Sequence, residues 1–107
     1  MNIQTLKYFL AVAREENFTR AADTLFITQP ALSKQLKLLE EELGKKLFTR
    51  QNSGIKLTAE GILLKSRAEN LVELADKIVE EFNSMIAAFL FWASVEERNC
   101  RVVRGKN

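Results

Sequence analysis

The 107-residue sequence contains no histidine, one cysteine, one proline and four glycines. Without histidine, the chain lacks the side chain that most often acts as a general base, activates a nucleophile or binds a metal. Its one cysteine, Cys100, allows neither an internal disulfide framework nor a multi-cysteine zinc site, and we interpret it as an incidental thiol. We therefore expect a binding protein that needs no metal or cofactor, and not an enzyme.

Targeting signals and long apolar runs are also missing. The first residues, MNIQTLKYFL, have no basic region ahead of an apolar run, which argues against a secretory signal. No apolar stretch approaches the roughly 20 residues that a membrane-spanning helix requires. These absences predict a cytoplasmic protein without a membrane partner. The length allows one compact domain, or a small domain with an extension.

Two short helices are predicted near the amino terminus. Apolar residues recur with helical spacing from Ile3 onwards, which predicts a helix over about 3–15 with Asn2 as its N-cap. A second helix is predicted with Thr19 as its N-cap and Phe18 packing back against it. We expect three aromatic side chains in the core: Phe9, Phe18 and Phe26.

A third helix is predicted over about 29–43. Thr28 is placed as its N-cap, and Pro30 falls in the first turn, where a missing N–H costs nothing. Gly44 is placed to close the helix. About three residues join this helix to the second one, which is typical of a helix-turn-helix. One stripe of leucines faces the core: Leu32, Leu36, Leu39 and Leu43.

A β-hairpin is predicted next, with strands at 47–50 and 55–57. The intervening Gln51-Asn52-Ser53-Gly54 has turn chemistry, since glycine readily takes a positive φ. This hairpin would form a wing on the helical core.

A long helix is predicted from Thr58, its N-cap, past Met85, because no glycine or proline lies between Gly61 and Gly105. Residues 58–85 alone would span roughly 42 Å, too long for so small a domain to bury, so a partner helix is expected. An intramolecular helical hairpin is the alternative. The helix carries a heptad stripe: Leu64, Ala68, Leu71, Ala75, Ile78, Phe82, Met85 and Phe89.

The net charge of +2 is a cancellation between segments. Residues 1–57 carry nine basic and six acidic side chains, and residues 58–97 carry three basic and eight acidic. Residues 98–107 carry four basic side chains and no acidic one. An acidic helix does not lie along DNA, so the long helix fits dimerisation or spacing.

The first half of the third helix has an outward face free of acidic side chains. Glutamine can pair with an adenine edge, serine can reach a base or a phosphate, and lysine is a point-charge donor. Two other interpretations stay open: an ordinary solvated face, and a dimeric interaction module that docks an acidic protein. The face comprises Gln29, Pro30, Ser33, Lys34 and Lys37, and backbone neutralisation could come from Arg20, Arg50 and Lys56.

These residues, in this order, resemble the amino-terminal domain of LysR-type transcriptional regulators. The resemblance covers residues 1 to about 85. It rests on Phe18-Thr19-Arg20-Ala21-Ala22, Leu25, Thr28 to Gln35, Leu39-Glu40, Leu43-Gly44, Leu47-Phe48, Arg50, Leu57-Thr58 and Gly61.

The resemblance implies a mainly α fold: a winged helix-turn-helix over 1–58, then a dimerisation helix over 59–92 that pairs with a second subunit. It also implies a bacterial, nucleoid-associated regulator that binds double-stranded promoter DNA, with RNA polymerase as a further partner of a full-length form.

The resemblance further implies which side chains meet DNA. Gln29, Pro30 and Ser33 match the positions that meet bases, whereas Thr28 and Arg50 match positions that hold phosphates. Lys34 stands where the family often has arginine, so it lacks the planar fork of a guanidinium. Ser53 stands where many members have a basic residue, which predicts weaker minor-groove contact. Thr19, Arg20, Lys37 and Lys56 complete the set of expected DNA-binding residues.

The carboxyl end departs from the family pattern. Residues 93–107 do not resemble the start of the family's effector domain, and we expect them to be a flexible tail. Our hypothesis is that this tail arises from truncation or a shifted reading frame.

Overall fold

A computed structural model of the chain describes the backbone of residues 1–106 and the side chains of residues 1–95. Its elements follow in order: α1 (Ile3–Glu15), α2 (Phe18–Leu25), α3 (Gln29–Leu43), β1 (Phe48–Gln51), β2 (Gly54–Leu57) and α4 (Ala59–Lys106). The chain divides into two compact units, Met1–Glu73 and Leu74–Asn107. The predicted fold class, mainly helical with a two-stranded wing and a long helix, is confirmed.

The core of the first unit lies where α1, α2 and α3 meet. Phe9, Val12 and Leu32 are fully buried there, and partly buried side chains from the hairpin and from α4 pack against them. The leucine stripe of α3 faces this core at Leu32, Leu36 and Leu39, whereas Leu43 at the helix end is 40% exposed. Apolar periodicity thus identified the inner face of α3 except at its last turn.

Two of the three predicted caps of the short helices are confirmed. The Asn2 side chain accepts a hydrogen bond from the Thr5 amide at 2.8 Å, as expected for the N-cap of α1. Thr28 caps α3, and Gly44 ends it with φ 69°. The cap of α2 was wrongly placed at Thr19: Asn17 accepts from the Arg20 amide at 2.8 Å. Because Asn17 has extended backbone and a side-chain oxygen of suitable reach, the helix starts two residues earlier.

Phe26 corrects the prediction of three core aromatics. Phe9 is buried and Phe18 packs against the core, but Phe26 is 95% exposed. It is the C-cap of α2, with the left-handed φ of 58°, and its amide donates to the carbonyls of Ala22 and Asp23. A left-handed residue leaves the helical path, so the apolar spacing that counts Phe26 on the buried face of α2 no longer applies.

The hairpin is antiparallel, with Phe48 opposite Leu57 and Arg50 opposite Ile55. Each strand lies within one residue of its predicted position, and Gly54 takes the positive φ expected in the turn, 115°. The Phe48 ring packs against Phe9 and Phe18, with centroid distances of 5.3 Å and 5.8 Å. These contacts attach the base of the wing to the helical core.

The first turn of α4 packs against the base of the wing. Thr58 acts as predicted for an N-cap, because its hydroxyl accepts from the Gly61 amide at 3.0 Å. The Thr58 amide donates to the Leu47 carbonyl at 3.0 Å. Gly61 lies against that same carbonyl, so closely that a Cβ atom there would collide with it.

The heptad stripe of α4 changes role along the helix. Leu64 packs against the core and Ala68 has no exposed surface, so these two residues serve the first unit itself. From Leu71 onwards the large apolar side chains of the stripe are exposed, including 61% of Phe82. Packing within the domain thus involves both residues, and their expected contact with a second subunit stays a prediction.

The helix α4 is longer than the predicted 59–92, since it ends at Lys106. The side chains of residues 96–107, including that of Cys100, lie outside the described residues. That residues 93–107 form a flexible tail stays a prediction.

One stretch of α4 meets a length and composition criterion for crossing a membrane. Within Ala59–Val95, an 18-residue window is sufficiently apolar, carries no more than two charged side chains and is not buried. The prediction that no apolar stretch approaches the length of a membrane-spanning helix is therefore wrong. Helices of soluble proteins that pack on a partner meet the same criterion, so it does not by itself indicate a membrane.

Candidate nucleic-acid interface

The candidate interface starts on α3. Gln29, Ser33 and Lys37 follow one another at four-residue spacing and therefore share one face of the helix. Gln29 and Ser33 are half-buried, whereas Lys37 is exposed. The core-facing Leu32 and Leu36 lie beside them and fix the rotation of the helix. The first turn contains no acidic residue, so this end of α3 presents donors and positive charge.

Gln29 and Ser33 are joined by a hydrogen bond. The Gln29 amide nitrogen Nε2 donates to the Ser33 hydroxyl oxygen at 2.7 Å. Residues four apart on a helix are neighbours, which makes this bond local to α3. The two side chains that the sequence singled out for base contacts thus form one polar pair.

Arg50 on the wing lies beside this face of α3. A cleft of about 380 Å³ is lined by Ser33, Lys37 and Glu40 from α3 and by Arg50 from β1. A second cleft, of about 220 Å³, is lined by Thr19, Gln29 and Arg50. Arg50 therefore borders both clefts, and its exposed side chain has no ion-pair partner among the described residues.

Lys56 lies on the opposite face of the wing from Arg50. Alternation along β2 separates it from Ile55, which is paired with Arg50. Its ammonium group contacts the Glu16 carboxylate at 2.8 Å. A cation that is already paired neutralises an external phosphate less well, so Lys56 is the weaker of the two predicted wing contacts.

The other predicted residues are exposed but are not drawn into these clefts. Thr28 accepts from the Ala31 amide at 3.4 Å, and as an acceptor its hydroxyl keeps its own proton free to donate. Ser53 lies in the hairpin turn. The remaining exposed members of the set are Arg20, Pro30 and Lys34.

Two acidic residues that were not predicted as site residues hold the wing. Glu40 accepts from the Leu47 amide at 2.7 Å, which connects α3 to the start of the wing. Glu16 binds Lys56, and its backbone carbonyl accepts from the Ile55 amide at 3.3 Å. Glu16 has a left-handed φ of 54°, where asparagine or glycine is more usual, and this local signal could have marked it.

Within the described part of the chain, no three His, Cys, Asp or Glu side chains are grouped closely enough to hold a metal ion. The interface is built from amide, hydroxyl, ammonium and guanidinium groups. These groups bind by hydrogen bonding and charge, and they match the donor and acceptor chemistry of nucleic-acid bases and phosphates.

Three short helices, a wing and an acid-free helix end define a winged helix-turn-helix protein. The chain belongs to the LysR family of bacterial regulatory helix-turn-helix proteins, whose family model matches residues 3–62.

Named relatives agree with this membership. The HTH-type transcriptional regulator BudR of Klebsiella aerogenes is 47% identical over 81 residues, which are 76% of this chain and 57% of BudR. The HTH-type transcriptional regulator BenM of Acinetobacter baylyi is 44% identical over 79 residues, which are 74% of this chain and 26% of BenM. The chain therefore spans less than two thirds of the length of these curated relatives. Both are named as transcriptional regulators, not as enzymes.

Solved structures share the fold. The BenM_DBD/catB site 1 DNA complex superposes with a TM-score of 0.77 at 41% identity, covering 79% of this chain and 96% of that chain. The CbnR_DBD–DNA complex gives a TM-score of 0.73 at 37% identity, covering 78% of this chain and 97% of that chain. Both related chains were crystallised with DNA.

Proposed function

We propose that this protein is a sequence-specific DNA-binding transcriptional regulator that binds promoter DNA as a dimer. The observation that carries the proposal is the alignment of Gln29, Ser33 and Lys37 on one face of α3, whose first turn has no acidic residue, with Arg50 of the wing beside it. An α-helix fits the major groove of B-DNA, and amide and hydroxyl groups on such a helix can reach base edges.

The proposed roles divide by chemistry. Gln29 reads a base pair, because a glutamine amide can both donate to and accept from an adenine edge. Lys37 and Arg50 neutralise phosphates, since both are exposed cations beside the α3 face. Thr28 donates its free hydroxyl proton to a phosphate at the helix start, where the helix dipole also favours an anion.

Related chains that were solved in complex with DNA support DNA as the partner. The solved chains that share the fold include complexes with the catB site 1 and with other target DNA. Since the chain also belongs to a family of regulators, its proposed location is the cytoplasm. We further propose that the protein associates with the nucleoid and that a longer form of it contacts RNA polymerase.

Selection of bound fragments from a random DNA pool tests the central proposal. We expect an enriched, partly palindromic sequence, which fluorescence anisotropy can then compare with a random duplex. Gln29→Ala should reduce discrimination between the two by about 1–3 kcal/mol. Lys37→Ala should weaken binding to both duplexes alike and lower the salt slope by about one.

The matched pair makes the outcome decisive, because the two substitutions lie on the same helix face. A pool that yields no enriched sequence, together with equal binding to all duplexes, would contradict sequence-specific reading. Retained binding to acidic peptides in preference to duplex DNA would favour the interaction-module alternative instead.

The dimer contact is proposed for the exposed part of the α4 stripe. Within the second unit, Ile78, Phe82, Met85 and Phe89 recur at intervals of four, three and four residues, and each is between 48% and 67% exposed. A helix that carries a heptad stripe of large apolar side chains is stable in water only when a partner covers that stripe. A second copy of α4 offers the same stripe and forms a two-fold contact.

Ile78→Glu tests this contact by placing a charge in the stripe. Losing the burial of one isoleucine per chain, at about 1.5–3 kcal/mol each, should raise the dimer dissociation constant at least about a hundredfold. Asn83→Glu adds the same charge at an exposed position outside the stripe and should leave the constant nearly unchanged. Sedimentation equilibrium measures both, and equal effects of the two changes would contradict the assigned stripe.

A further inference from the structure

We propose that Ser33 is a positioning residue that acts through Gln29, holding the Gln29 amide in the orientation that reads a base. The inference rests on the proposed function and deepens it. Its basis is the 2.7 Å hydrogen bond from Gln29 Nε2 to the Ser33 hydroxyl oxygen within α3. The resemblance assigned both side chains separate base contacts, whereas the geometry assigns them to one unit.

The hydrogen-bond donors and acceptors of the Gln29–Ser33 pair determine which base edge it can bind. A glutamine amide has two N–H donors on nitrogen and one acceptor oxygen. Ser33 occupies one of the two N–H groups, so one N–H and the Oε1 oxygen of Gln29 stay free. One donor and one acceptor are what the adenine edge in the major groove requires, at N7 and N6 respectively. The bond to Ser33 therefore leaves the bidentate reading intact.

The same bond restricts which way the amide faces. A free glutamine can rotate about three bonds and can exchange its oxygen and nitrogen positions by turning the amide. Only one of those two orientations places the nitrogen against the Ser33 hydroxyl as a donor to its oxygen. With the other orientation, the serine proton would donate to Oε1, which has a second lone pair, so the hydroxyl can hold the amide in both cases. In the structure Nε2 faces Ser33, and the bond restricts the position and the rotation of the amide that the base pair meets.

The surroundings of the pair favour ordering before DNA arrives. Gln29 is the first residue of α3 and Ser33 lies one turn later, both half-buried on a helix whose core side is fixed by Leu32 and Leu36. Pro30 in the first turn stiffens the backbone between them. A side chain that is ordered in the free protein loses less conformational freedom on binding, which raises affinity for the matching base pair.

A double-mutant cycle on DNA distinguishes positioning from independent reading. Anisotropy titrations use the selected duplex and its variants with one base pair changed at a time. Ser33→Ala should lower discrimination at the base pair that Gln29→Ala affects, by about threefold to tenfold, the value of one net hydrogen bond. In the Gln29→Ala background, Ser33→Ala should change discrimination at that base pair by less than about twofold.

Independent reading gives a different pattern. If Ser33→Ala acts on another base pair, has the same effect in both backgrounds, or has no effect, the positioning role is wrong. Loss of folding does not confuse this test, because alanine is the best helix former and circular dichroism can verify the helix content. Unchanged salt slopes are expected for both variants, since neither removes a charge.

A measurement on the free protein separates this inference from the proposed function. The Gln29 side-chain amide gives a pair of resonances in a proton–nitrogen spectrum, which Gln29→Ala identifies by their disappearance. Ser33→Ala should shift this pair more than the neighbouring Lys34→Ala does, and should lower its order parameter towards that of a mobile side chain. An unmoved pair would overturn the positioning role. A wild-type protein that fails to discriminate duplexes, while its amide is held by Ser33, would overturn the proposed function alone.

Discussion

Replacing Gly61 by alanine tests how α4 is attached to the wing. Gly61 lies in the first turn of α4, where its amide donates to the Thr58 hydroxyl at 3.0 Å. An added Cβ atom would collide with the backbone carbonyl of Leu47 and would lie 3.0 Å from the Leu57 side chain. That carbonyl cannot move freely, because it accepts the Thr58 amide at 3.0 Å.

The expected sign is opposite to that of an ordinary helix substitution. Exchanging glycine for alanine inside a helix usually stabilises it by about 0.8–1 kcal/mol, because alanine loses less backbone freedom on folding. Here overpacking costs about 1–3 kcal/mol. Loss of the Thr58–Leu47 hydrogen bond adds about 0.5–1.5 kcal/mol. We therefore expect Gly61→Ala to lower the free energy of unfolding by a net of roughly 1–3 kcal/mol.

Urea unfolding followed by circular dichroism measures this difference at a fixed protein concentration, which is needed because association contributes to stability. Gly44→Ala is the control: no atom lies within 4 Å of its Cβ position, but its φ is +69°. That change should cost only the strain of a left-handed residue, about 1–2 kcal/mol. A Gly61→Ala protein as stable as wild type, or more stable, would refute the close contact with Leu47.

Three further predictions, with five substitutions, concern the corrected cap, the exposed aromatic and the two wing cations. Asn17→Ala should lower the free energy of unfolding by about 1 kcal/mol in urea unfolding, whereas Thr19→Ala should have a much smaller effect, because Asn17 is the N-cap of α2. Phe26→Ala should change stability by less than about 0.5 kcal/mol in the same assay, since 95% of its surface is exposed. Arg50→Ala should lower the salt slope of DNA binding by about one, and Lys56→Ala should lower it by less, because Lys56 is paired with Glu16.

A specific result would contradict each of these three predictions. A larger loss at Thr19 than at Asn17 would restore the cap position expected from the sequence. A loss of about 3–5 kcal/mol at Phe26 would mean that its ring is buried. Equal salt slopes for the Arg50 and Lys56 variants would mean that the ion pair with Glu16 opens at no cost when DNA binds.

Local signals in the sequence were sufficient for most of the elements. Apolar periodicity identified α1, α3 and the leucines that α3 buries. Asn2 and Thr28 were recognised as caps, and Gly44 as a helix end, because capping depends on a few neighbouring residues. The hairpin was placed within one residue by its turn. Each of these features is set by residues close together in the chain.

The sequence was least informative where a residue's role depends on its three-dimensional surroundings. Phe26 fits the apolar spacing of α2, yet its left-handed φ turns its side chain to solvent. Leu64 and Ala68 fit the heptad of α4, yet the domain beside them uses them for its own packing. Neither a turn of the backbone nor a neighbouring surface can be derived from periodicity alone.

The sequence by itself determined the helical order, the acid-free first turn of α3 and the identity of its polar side chains, because these follow from local composition and spacing. Only the tertiary structure decided which charges are free and which are paired. Arg50 borders the α3 face, whereas Lys56, on the other face of the wing, is bound to Glu16 across forty residues of chain. The physical reason is that an ion pair depends on a distance of a few ångströms, which only folding brings about between residues so far apart in the chain. The Gln29–Ser33 hydrogen bond is different, because it joins residues one helical turn apart and depends on α3 alone.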